Sequence, residues 1–353
     1  MTDYAALIPV NVVTGFLGSG KTTLLQRLLA SPALRDTAVL VNEFGEVGLD
    51  HHLLEHVAEG TLLLDNGCIC CALRGDLKEA LRDLFSRRER GEIPRFARLV
   101  IDTSGLADPV PIAYTVLAEP VLQHHFRLGN VVTTIDAVNA EAQLERYPES
   151  VKQAAVADRL VLTNTDLSTP AQVRALRARL GRLNRAAPIY DAAAEPLEPE
   201  ALLVEDIYDP EARVREVSRW WEGAGDQGAI ADDHASHDHG EVTSFSIEFA
   251  EPLDWTAFGI WLSMLLNRHG ENVLRVKGML NVQGAEAPVL INGVQHIVHP
   301  PVHLDAWPDA ERRSRLVFIV RELSRARIEA SLAVFNALAN AGAASASGSL
   351  RSA

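Results

Sequence analysis

The segment Gly-Phe-Leu-Gly-Ser-Gly-Lys-Thr-Thr at residues 15–23 constrains this chain more than any other. It is a complete GxxxxGK(S/T) phosphate loop, running from Gly15 through Gly18, Ser19 and Gly20 to Lys21, Thr22 and Thr23. Ile8 to Val13, before it, is an apolar β-branched run suited to a buried parallel strand. Leu24, Leu25, Leu28 and Leu29, after it, recur at helical spacing. Glycines let the backbone fold around an anion, so that amide N–H groups and the positive end of the helix face the phosphates. Lys21 then reaches the β- and γ-phosphates, and the Thr22 hydroxyl ligates Mg²⁺.

Such a loop needs an acidic strand end to complete the Mg²⁺ shell. Leu99, Val100 and Ile101 are apolar, and Asp102-Thr103-Ser104-Gly105 follows as DxxG. Asp102 is assigned to the Mg²⁺ shell and Gly105 to the γ-phosphate contact. Alone, DxxG is weak, because Asp and Gly are common turn residues; its weight comes from the buried strand before it.

A third element bears on the base. Leu160 to Leu162 form a short apolar strand ending in Thr163-Asn164-Thr165-Asp166, in the register of the guanine-reading NKxD sequence. The Asp166 carboxylate can accept from both N1–H and N2–H of guanine, an arrangement adenine does not answer. Asn164 stands where the usual Lys would cover the base, and Thr163 where the usual Asn would be. GTP is favoured by Asp166; the competing reading is a helix N-cap aspartate.

All three cysteines lie at Cys68, Cys70 and Cys71, in Gly-Cys-Ile-Cys-Cys. That excludes a disulfide framework and fits a reducing compartment. Clustered thiolates suit Zn²⁺, Cu(I) and, less strongly, Co²⁺. Three leave a fourth position to water, to a carboxylate such as Glu43, to a histidine or to a client protein. Ala72 to Leu84 has a helical pattern, whose N-terminal dipole favours the thiolate form. The competing reading is three small buried hydrophobes.

Together these segments resemble a known family. The P-loop, then Val41-Asn42-Glu43-Phe44-Gly45-Glu46-Val47-Gly48-Leu49-Asp50, Gly67 to Cys71, Ser104-Gly105-Leu106-Ala107-Asp108-Pro109 and Leu274-Arg275-Val276-Lys277-Gly278-Met279-Leu280 resemble the CobW-like branch of the metallochaperone GTPases related to UreG and HypB, in detail its YjiA-type members. The likeness covers nearly all of residues 8–335. It implies a slow GTPase with GTP and Mg²⁺, whose CxCC thiols take a transition metal under nucleotide control, zinc first and cobalt as the alternative. It also implies that residues 42–50 are switch I, with Glu43 moving relative to the thiols and Asp50 orienting the attacking water. A client metalloprotein would receive the metal. Many relatives carry Glu where this chain has Asp102, and Lys where it has Asn164.

Rival functions remain: a cobalt-handling GTPase supporting cobalamin or metalloenzyme assembly, a metal store or redox sensor, and a small-molecule P-loop kinase. A net charge of -14 over 353 residues argues against nucleic acid as a partner. No apolar run approaches the ~20 residues of a membrane helix, and the start has no basic leader, so a cytoplasmic protein is expected. A homo-oligomer stays open.

Strands and amphipathic helices alternate over residues 8–208, the pattern of a mainly parallel α/β sheet. Residues 1–208 are therefore expected to form a P-loop GTPase domain and 209–241 an acidic linker. Residues 242–338 should form a smaller α+β domain of ferredoxin-like order, ahead of a disordered Ala/Ser/Gly-rich tail at 339–353. In the linker, His234, His237 and His239 stand among Asp232, Asp233 and Asp238, and are read either as an accessory metal site or as a solvated spacer. His51, His52 and His56 flank switch I and are read as surface residues, with a fourth metal ligand as the alternative.

Overall fold

A computed structural model of the chain describes residues 4–41, 62–65, 75–193, 197–218, 242–308, 310 and 312–349. These fall into two compact units, divided between Gly223 and Ala224.

In the first unit the strands are β1 (Ile8–Gly15), β2 (Thr37–Val41), β3 (Leu62–Asp65), β4 (Arg98–Asp102), β5 (Phe126–Asp136), β6 (Arg159–Thr163) and β7 (Ile189–Asp191). They form one sheet in the order β3-β2-β4-β1-β5-β6-β7, and every pairing is parallel. β1 is interior, and its Val10, Val12 and Val13 are wholly buried; Asn11 between them is buried too, donating to the Leu203 carbonyl at 3.0 Å and accepting from Asn130 N at 2.8 Å.

The helix after the P-loop, α1 (Lys21–Leu29), turns Leu24, Leu25, Leu28 and Leu29 onto Val13, Val39, Val100, Val132 and Val161. Each buried leucine is worth about 2 kcal/mol relative to exposure. That packing fixes the loop's exit. Farther on come α2 (Gly75–Glu89), α3 (Val110–Ala118), α4 (Ala140–Arg146), α5 (Pro148–Val156), α6 (Pro170–Leu183) and α7 (Pro199–Leu203). The helix expected from Ala72 to Leu84 is described from Gly75 and runs on to Glu89.

Residues 209–218, expected to open the linker, belong to the first unit. Ala212 and Val217 are buried, and Glu216 forms a buried ion pair with Arg159 of β6. Just upstream, Asp206 pairs in the same way with Arg127 of β5. A polar run looks like a linker in sequence, yet its Glu216 answers a buried arginine on the sheet.

The second unit pairs β8 (Val242–Phe249), β9 (Val273–Leu280), β10 (Val289–Val294), β11 (Ile297–Val298), β12 (Val302–His303) and β13 (Ser314–Arg321) in an antiparallel sheet, order β11-β10-β9-β13-β8 with β12 on β10. The α8 helix (Trp255–His269) joins β8 to β9, and β13 inserts between those two strands. This is one split β-α-β unit of ferredoxin-like type. The second helix, α9 (Arg325–Ser349), follows the last strand instead of preceding it. Phe258, Trp261, Leu262 and Leu266 of α8, with Ile328 and Leu332 of α9, cover Val276, Leu280, Ile291, Leu316 and Phe318. The α9 backbone stays helical to Ser349, so the tail expected to be disordered from 339 is helical over that stretch. Alanine, the strongest helix former, explains it.

Among the described residues, no helix is long and apolar enough to cross a membrane.

Candidate functional site

Strand register gathers the site. Val13 pairs with Asp102, Val41 pairs with Asp102, Gly15 pairs with Thr134, and Asp136 pairs with Thr163. The carboxyl ends of β1, β2, β4, β5 and β6 thus share one edge, the edge where open parallel sheets bind ligands.

Only glycine fits at position 15. Its φ is +142°, and a Cβ there would lie 2.2 Å from Thr134 Oγ1 and 2.5 Å from the Thr134 carbonyl oxygen. Gly18 and Gly20 also have left-handed φ, +72° and +84°, and Gly20 caps α1. Positive φ at three loop glycines is the backbone pattern that an anion cradle requires. Thr134 Oγ1 donates to the Thr14 carbonyl at 3.3 Å, which leaves Ser19 Oγ to donate to Thr134 Oγ1 at 2.6 Å. Lys21 Nζ donates to the carbonyls of Gly15 at 2.9 Å and Phe16 at 3.2 Å, so its charge lies across the loop. Thr22 is half-buried and Thr23 exposed at the start of α1.

Asp102 is buried at the tip of β4. The next residue fastens that tip to the P-loop strand: Thr103 N donates to the Val13 carbonyl at 3.0 Å, and Thr103 Oγ1 donates to Thr14 Oγ1 at 2.9 Å. Gly105 packs directly on the P-loop. A Cβ there would lie 2.6 Å from Leu17 N and 2.7 Å from Leu17 Cα. Buried Gln153 of α5 donates to the carbonyls of Gly105 at 3.2 Å and Ala107 at 2.9 Å, holding the turn from behind. A glycine cradle, an ammonium, a hydroxyl at the helix start and a carboxylate at a neighbouring strand end fit a nucleotide triphosphate with Mg²⁺.

The third loop is tied to the first. Thr163 Oγ1 donates to the Ser19 carbonyl at 2.9 Å. Asn164 has φ +55°, and its Nδ2 donates to Asp136 Oδ1 at 3.0 Å. Asp166 is exposed within the short turn Thr165–Leu167. It is not the N-cap of α6: Thr169 is, with Gln172 completing a capping box. The N-cap reading is thereby removed. Thr165 Oγ1 also donates to Asp191 Oδ1 at 2.6 Å, linking the turn to the end of β7. Sequence reading missed Thr134, Asp136, Gln153 and Asp191; the signal available was their place at or behind strand ends, which pattern alone does not rank.

Glu43, Asp50, His51, His52, His56, Cys68, Cys70, Cys71, His234, His237 and His239 lie outside the described residues. What is described is the approach to the thiols: β3 ends at Asp65, paired with Val41, whose other neighbour is Asp102.

The chain matches two family descriptions in tandem. Residues 9–191 match the CobW/HypB/UreG nucleotide-binding domain, and residues 242–336 match the cobalamin synthesis protein cobW C-terminal domain. The chain belongs to the CobW/HypB/UreG family. Motif, fold and family make its first unit a P-loop GTPase domain. Among relatives, the zinc chaperone YjiA of Escherichia coli is 33% identical over 326 residues, spanning 92% of this chain and 98% of that protein. The zinc chaperone CobW of Pseudomonas aeruginosa is 30% identical, spanning 92% and 90%. The crystal structure of Zn(II)-bound YjiA GTPase from E. coli superposes with a TM-score of 0.68 at 28% identity, covering 93% of this CobW-family chain and 99% of that one.

Proposed function

We propose that this CobW-family protein is a cytoplasmic GTP-hydrolysing metallochaperone that binds zinc at Cys68, Cys70 and Cys71 and passes it to a client metalloprotein. Zinc is cargo here, and GTP is the substrate whose turnover controls it. The observation that carries the reading is positional: β3, whose last residue Asp65 precedes the CxCC segment in sequence, ends at the sheet edge where the strands carrying Gly15 and Asp102 also end. The relatives named zinc chaperones support the choice of metal.

In this reading Lys21 and the loop amides bind the β- and γ-phosphates, Gly105 contacts the γ-phosphate, and Asp166 reads guanine. Thr22 and Asp102 would hold Mg²⁺, which supplies charge neutralisation of the phosphates. Asp50 would orient the water, and Glu43 would complete the zinc ligands in one nucleotide state. Hydrolysis can drive transfer only if the two nucleotide states differ in zinc affinity.

Two assays on one preparation test the reading. GTP hydrolysis should yield free phosphate, be lost in Lys21→Ala, and exceed ATP hydrolysis. Zinc competition against a chromophoric chelator should be lost in Cys70→Ala/Cys71→Ala. Phosphate appearing on an organic acceptor would point to a kinase, and zinc binding untouched by the cysteine variant would remove the metal site.

A further inference from the structure

In the usual base-reading motif a lysine lies over the purine; here Asn164 occupies that place and its side chain is turned elsewhere. Its Nδ2 donates to Asp136 Oδ1 at 3.0 Å, and its backbone sits at φ +55°. Such a φ costs a non-glycine residue about 1 kcal/mol or more, least for Asn and Asp, so a surrounding contact must hold it.

Asp136 is built to be that contact. It ends β5, is 4% exposed, and pairs in register with Thr163, the residue before Asn164. Its Oδ1 also accepts from Val138 N at 3.2 Å, and its Oδ2 accepts from Asn139 Nδ2 at 2.6 Å. The Ala137 amide, one residue on, donates to the Thr163 carbonyl at 2.9 Å. A buried carboxylate fixed by two donors on its own strand end presents a rigid acceptor to Asn164. Asp166 lies two residues beyond, on an exposed turn whose own tether is the Thr165–Asp191 bond.

We infer that Asp136 is a positioning residue for guanine selection: by holding Asn164 in the left-handed conformation it sets where the Asp166 carboxylate meets the base. Asp136 and Asn164 thus replace by rigidity what the missing lysine would supply by covering the purine. The inference rests on the assignment of Asp166 as the guanine reader.

The test compares kcat/KM for GTP and ATP in the full chain, with thermal melting as the fold control. Asp136→Ala should raise KM for GTP about tenfold, the scale of one lost charge-assisted hydrogen bond. ATP turnover should change little, so the GTP:ATP ratio falls about tenfold. Asn164→Gly removes the same bond at a half-buried position whose φ glycine accepts, and should lower the ratio in a chain that melts as wild type. Asp136→Asn keeps an acceptor for Asn164 and should retain more of the ratio than Asp136→Ala. Asp166→Asn, whose amide can donate to the 2-oxygen of xanthine, should transfer preference to xanthosine triphosphate. If Asp166→Asn makes that switch while Asp136→Ala and Asn164→Gly leave the ratio at wild type, positioning by Asp136 is overturned and the base reader stands. If Asp166→Asn leaves preference unchanged, the base reader falls and this inference falls with it.

Discussion

The Thr163 hydroxyl donates to the Ser19 carbonyl at 2.9 Å, binding the base loop to the phosphate loop across residues 144 apart in sequence. Both groups are buried. The two loops assigned above to the base and to the phosphates are therefore joined by a buried side-chain-to-backbone hydrogen bond.

Breaking that link should cost nucleotide affinity. Thr163→Val keeps the shape and leaves the Ser19 carbonyl without this donor, a penalty of about 1–2 kcal/mol. Titration with a fluorescent GDP should report a Kd raised about tenfold, since ~1.4 kcal/mol is one decade. An unchanged Kd would mean that the two loops move independently.

Gly105→Ala puts a methyl group 2.6 Å from Leu17 N. Either the DxxG turn or the P-loop must yield, and a displacement of about 1 Å can cost about 100-fold in rate. Steady-state GTPase assays should show kcat falling by that order while melting changes modestly. A kcat within twofold of wild type would remove Gly105 from the γ-phosphate site.

Glu216 decides whether residues 209–218 are linker or domain. Removing it leaves Arg159 buried without its carboxylate, a change expected to cost about 3–5 kcal/mol. A solvated linker residue would shift stability by no more than ~0.5 kcal/mol. Urea denaturation of Glu216→Ala separates the two.

Burial pushes the Tyr4 hydroxyl up to about 12, and burial first, then the neighbouring Tyr4, pushes Tyr208 well above its ordinary value. The two rings meet edge-on at 4.7 Å. Above pH 10 the unfolded chain releases these protons while the folded chain keeps them. The stability is therefore fully present below pH 10 and is lost as pH rises from 10 toward 12. Melting temperatures across that window should fall less steeply in Tyr4→Phe than in wild type.

Local motifs pointed to the described parts of the proposed site. Gly15 to Thr23 and Asp102 to Gly105 were legible because backbone turns and phosphate chemistry demand those residue types at fixed spacing. The capping box of Thr169 and Gln172 came from the structure, and it shows that Asp166 is not the N-cap of α6. Other features depend on partners far along the chain. Asp136 looks like an ordinary strand-end acid until Asn164 is brought beside it, and Glu216 looks solvated until Arg159 is seen beneath it. The tail misled for a different reason: a run of alanine, serine and glycine reads as low complexity, yet alanine propagates the helix begun at Arg325.

In the proposed mechanism, nucleotide state sets zinc affinity. The most direct measurement is the zinc Kd of the full chain by chelator competition, with Mg²⁺ and a non-hydrolysable GTP analogue against Mg²⁺ and GDP. Binding should be at least about tenfold tighter in the triphosphate state, a coupling of ~1.4 kcal/mol, with the difference abolished in Cys70→Ala/Cys71→Ala. Equal affinities in the two states would contradict it.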